Sequence, residues 1–130
     1  MTLTPWSNGL PLVWDFTCVD TLAQSNLPFS RQEGGRLASF AEEKKRKKYS
    51  TLSRELTFTP VAVETLGAWG HEAGLLIRAI GRRITEVSGE ARATNFLRQR
   101  LSMAVQRGNV ASILSCLTKS KAMVEIYLFT

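Results

Sequence analysis

The sequence predicts an α/β domain, a small sheet of two to four strands packed against four helices. Three observations lead there. The chain has 130 residues, about one domain's length, and its 44% hydrophobic content is enough for a core. Two runs, 11–19 and 58–65, are rich in strand-favouring residues. Between and after them, apolar residues recur at helical spacing.

The elements follow in order. Thr2 to Trp6 are partly strand-like, and Ser7-Asn8-Gly9 supplies turn residues, so 2–19 reads as a hairpin with 11–19 as its second strand. Residues 20–31 are polar, contain Pro28 and read as a loop. Residues 32–52 read as a helix that is firm from Arg36, because Gly34-Gly35 blurs its start. After a link at 53–57 comes the short strand 58–65, which Pro60 places near an edge. Gly67 to Gly70 form a turn. The helix 71–87 puts Ala73, Leu76, Ile77, Ile80, Ile84 and Val87 on one face, and Ser88-Gly89 ends it. A further helix at 91–106 turns Phe96, Leu97, Leu101, Ala104 and Val105 inward, and Gly108 stops it. Asn109 then caps a last helix through Leu117. Residues 1–118 make up the domain, and 119–130 form a divergent C-terminal tail, read as a short strand or a disordered end.

Composition narrows the function classes. The formal net charge is +6, which suits nucleic acid, an acidic protein or an anionic membrane. Cys18 and Cys116 have no Cys or His neighbour at metal-ligand spacing, and His71 is the one histidine, so a zinc finger is not expected. Both thiols read as free and buried. No apolar run reaches the ~18 residues of a membrane span, and MTLTPWSNGL is not a signal peptide. No membrane partner is expected, and the compartment is read as intracellular, nucleus or cytoplasm.

One strand residue is out of place. Strand periodicity puts Leu12, Trp14, Phe16 and Cys18 on one face and Val13, Asp15, Thr17 and Val19 on the other. Both faces are largely apolar, as in a strand covered on two sides. A carboxylate there needs a cation, a metal or donors. The helix at 36–52 has the complementary anomaly. Its apolar stripe of Leu37, Phe40, Ala41, Tyr49 and Leu52 is interrupted at Lys45, which therefore points toward the domain body, with Lys48 one turn further along the same side. Lys44, Arg46 and Lys47 spread around the rest.

Asp15 with an inward lysine is a usable constellation. Carboxylates hold Mg²⁺, which activates water and stabilises developing phosphate charge, while a lysine orients the nucleophile or offsets that charge. Glu64, at the end of the third strand, is a further candidate carboxylate. The ridge Lys44, Arg46, Lys47 and Lys48 suits phosphate contacts with DNA or another nucleic acid. Structural alternatives stand beside each reading. Asp15 can be bonded to a lysine or a backbone amide, and Glu64 to amides at a helix entry. The basic run can be a solvated face or a nuclear targeting patch. His71 reads as a surface residue of a first helical turn, and Trp6, Trp14 and Trp69 as packing anchors.

The runs LVWDFTCVDTLAQSNL, KYSTL, FTPVAVETLGAWGHEA and FLRQRLSMAVQRGNVASIL, in that order, resemble the C-terminal segment of non-LTR retrotransposon reverse-transcriptase polyproteins. The resemblance covers about residues 1–117. It implies an endonuclease-like domain of the PD-(D/E)XK restriction-enzyme type, N-terminally truncated, whose parent activity is Mg²⁺-dependent DNA nicking. By that resemblance, Asp15 in WDFT matches the mid-strand metal-binding acid, and Lys45, followed by Lys48-Tyr49, matches the lysine-bearing helix. Glu64 in VETLG matches a marked position of less certain role. Family members typically carry Arg-Pro-Asp-Gly just before the position of Met1, and that Asp is the first catalytic carboxylate. Its absence makes weak or no Mg²⁺ binding and little or no cleavage the expectation. The parent polyprotein would include a reverse-transcriptase domain, but no paired-aspartate polymerase motif occurs in this chain. Two non-catalytic readings remain beside it, a nucleic-acid binder using the basic helix and a scaffold docking a protein through 71–87 and 91–106.

Overall fold

The computed structural model describes residues 1–51 and 55–117. It is a small mixed α/β domain with a two-stranded parallel sheet packed against four helices among the described residues. The order is β1 (Leu12–Val19), α1 (Leu27–Ser30), α2 (Arg36–Lys48), β2 (Thr57–Glu64), α3 (His71–Ser88) and α4 (Ala93–Cys116). The predicted tail at 119–130 lies outside the described residues, as do Leu52 and the start of the link.

β1 and β2 pair in parallel, with Leu12 opposite Thr57 and Val19 opposite Glu64. Parallel strands need a long crossover, and α1 and α2 supply it. The expected hairpin at 2–19 does not form. The turn does form, with Asn8 and Gly9 at positive φ, but it closes only an isolated Ser7–Leu10 bridge. Pro5 has no amide hydrogen with which to extend a ladder. Beyond that turn, the Thr2 amide donates to the Leu12 carbonyl at 2.8 Å, and Arg83 of α3 stacks on the Trp6 ring at 3.5 Å.

Paired residues in a parallel sheet share a face, which assigns the layers. Val13, Asp15 and Thr17 with Phe58, Pro60, Ala62 and Glu64 face α2, where Tyr49 meets Phe58 at a ring-centroid distance of 5.0 Å. On the opposite face α3 lies over β2, where Thr59 lines one cleft with Leu75, Leu76 and Ala79, and Leu12 at the start of β1 is buried. Trp14, Phe16 and Cys18 on that face of β1 are exposed. Among the described residues the two-sided cover expected for β1 thus reaches only its start, Trp14 is not a buried anchor, and Cys18 and Cys116 are free but exposed rather than buried.

Further expectations change. A short helix, α1, occupies part of the 20–31 loop, with Pro28 in its first turn, where the missing amide hydrogen costs nothing. Val87 and Ile84, placed on the inward face of α3 by periodicity, are exposed. The two helices at 91–106 and 109–117 are one helix, α4. A single glycine costs about 1 kcal/mol in a helix, so Gly108 does not end it. Asn109 does not cap a helix. Its side-chain amide donates to the Thr65 carbonyl at 2.6 Å and ties α4 to the end of β2. Phe96 and Ala104 are exposed, and Ala93 is the one buried residue described in α4. Gly89 ends α3 as expected, at φ 74°, with its amide on the Thr85 carbonyl.

Candidate nucleic-acid interface and the carboxylates beneath it

α2 carries every basic candidate. Ala38, Glu42, Lys45 and Tyr49 follow one helical stripe. Lys45 Nζ lies 2.7 Å from Asp15 Oδ2, with the two side chains 23% and 36% exposed. The inward lysine and the strand carboxylate thus meet, as an ion pair in partial contact with water.

Glu64 is elsewhere on the same face. It is 3% exposed, and its Oε1 accepts the Leu37 amide at 3.1 Å, in the first turn of α2. That turn has no acid of its own and no side-chain cap from Gly35, so Glu64 supplies the negative group that a helix N-terminus favours. Glu64 and Asp15 lie four strand positions out of register, about 13 Å apart along the sheet at ~3.3 Å per residue. They cannot share a metal ion.

Glu42, absent from the sequence-derived candidates, is the most enclosed carboxylate among the described residues at 1% exposure. It reaches around the outer edge of β2. Its Oε1 accepts the Ala62 amide at 3.2 Å and the Ala73 amide at 2.9 Å, and its Oε2 accepts the Glu72 amide at 2.8 Å. Ser39 Oγ accepts the His71 amide at 3.0 Å. The first three amides of α3, orphaned by helix geometry, are therefore all satisfied by α2. Gly70 makes this possible, because a Cβ there would run into the Glu42 carboxylate. The phase argument that singled out Lys45 also places Glu42 inward, and Ser39-x-x-Glu42 is a capping pattern. It caps the next helix rather than its own. His71, read as a surface residue of a first turn, is exposed in the first turn of α3.

The outer face carries the remaining cations. Arg46 donates to Glu72 through Nε at 2.7 Å and also through Nη2, and this bonding holds its guanidinium above its ordinary pKa against the lowering effect of partial burial. Lys44, Lys47 and Lys48 are exposed and have no ion pair among the described residues. Lys44 Nζ lies 4.6 Å from the centre of the Phe40 ring, and Lys48 Nζ lies 5.1 Å from that of Tyr49. Lys48 does not join Asp15 and Lys45.

A magnesium ion does not fit here. Asp15 offers one carboxylate, one of its oxygens already faces the Lys45 ammonium, and no group of three or more His, Cys, Asp or Glu converges among the described residues. Mg²⁺ prefers a near-octahedral oxygen shell, and an adjacent ammonium opposes its charge. No described helix is long and apolar enough to cross a membrane. No protein-family model, curated protein or solved structure matches this chain.

Proposed function

We propose that this domain binds the phosphate backbone of nucleic acid through the outer face of α2, as an endonuclease-like relic with little or no cleavage of its own. One observation carries the binding half. Lys44, Lys47 and Lys48 are exposed without acidic partners, while Glu42 and Glu64 of the same layer are consumed inside by backbone amides. Such a ridge neutralises phosphates and releases counterions, so affinity should fall steeply with salt. The endonuclease-like half rests on the sequence resemblance together with the Asp15–Lys45 contact. The poor fit for magnesium argues against turnover.

Two assays test this reading. Fluorescence anisotropy with labelled oligonucleotides should show binding at low salt that weakens as salt rises. No binding at low salt, or a flat salt response, overturns the binding half. Supercoiled plasmid incubated with the protein and Mg²⁺ should remain intact. Robust nicking that Asp15→Asn abolishes would restore the catalytic reading.

A further inference from the structure

Two aromatic rings stand beside the basic ridge. Phe29 in α1 and Phe40 in α2 are 52% and 54% exposed. Both line a partly enclosed cleft of about 260 Å³, together with Asn26, Arg36 and Leu37. Tyr49 and Phe58 are the one ring pair among the described residues, so Phe29 and Phe40 do not stack on each other. Leu37 forms the buried floor of the cleft. Arg36 stands exposed at its wall, and Lys44 lies over Phe40. Arg36, Phe40, Lys44 and Lys47 recur along the outer side of α2, with Glu43 as the acid among them.

We propose that this cleft seats an unstacked base of a single strand, while Arg36, Lys44 and Lys47 follow its backbone. The inference deepens the nucleic-acid reading and rests on it. A duplex keeps its base faces stacked, so it can meet the cations but cannot use the rings. A single strand offers both a phosphate and a free π-face within each nucleotide. Aromatic groups interleaved with cations are the arrangement that holds single strands with little sequence preference. The cationic surround distinguishes this cleft from an ordinary apolar depression, because it matches the charge of a polynucleotide and repels a basic partner.

The test compares a labelled oligothymidylate with a duplex of the same length, by anisotropy at one fixed low salt concentration. Phe40→Leu keeps the apolar bulk and removes the π-face, and Phe40→Trp restores it. Phe29→Leu repeats the test on the second ring, with circular dichroism confirming that each variant is folded. The expected result is roughly tenfold weaker single-strand binding for each leucine variant, recovery with tryptophan, and unchanged duplex binding. Equal single-strand and duplex affinities that none of these variants alters would overturn the base seat and leave the phosphate-binding reading intact. No binding to either probe by the unaltered protein would overturn both.

Discussion

The two sides of α2 use charge in opposite ways. On the inner side, Glu42 answers three amides from β2 and α3, and Lys45 answers Asp15. On the outer side, Lys44, Lys47 and Lys48 are exposed and form no ion pair among the described residues, and Lys44 and Lys48 lie over aromatic rings. Within one helix of 13 residues, interior charges serve the fold, while of the outer cations Arg46 is tied to Glu72 and the three exposed lysines are left unpaired among the described residues. A buried carboxylate is therefore weak grounds for catalysis here, because each has a backbone partner that explains its burial.

This contrast is sharpest at Glu42. Glu42→Ala leaves three amides without their acceptor and should cost roughly 3 kcal/mol or more, read as a lower urea midpoint. Glu42→Gln keeps one acceptor oxygen and should lose less. Gly70→Ala drives a methyl group into the same carboxylate and should cost on the order of 2 kcal/mol. Its backbone, at φ −66°, suits any residue, so the loss reports the clash alone. Combining Gly70→Ala with Glu42→Ala should be clearly less than additive.

Glu64→Ala removes one helix-terminal acceptor and should cost about 1–2 kcal/mol by the same measurement. The smallest effect is expected at the ion pair. Asp15→Asn and Lys45→Met should each change stability by less than about 1 kcal/mol, since a pair this open to water is largely screened. A loss at Asp15 as large as that at Glu42 would break the distinction between them.

Much of the middle of the chain was legible. Helical phase placed Lys45 inward, and strand alternation placed Asp15 on the face that meets it, so their contact followed from two local periodicities. The parallel pairing was not legible in the same way. A turn at Ser7–Gly9 suggested a local hairpin, whereas β1 finds its partner across two helices, a non-local choice that no short window reports. Gly108 misled because one glycine is a small penalty against a long helix anchored by Asn109. Glu42 was missed because the amides it serves belong to another helix, and periodicity shows which way a side chain points but not what it meets.

The most direct measurement is the salt dependence of single-strand binding for the unaltered protein and for a Lys44→Gln/Lys47→Gln/Lys48→Gln variant. The account predicts weaker binding by the variant and a slope of log affinity against log salt that is shallower by roughly 2, at ~0.7 per phosphate contact. Identical affinity and slope for the two proteins would place the binding surface elsewhere and contradict the account.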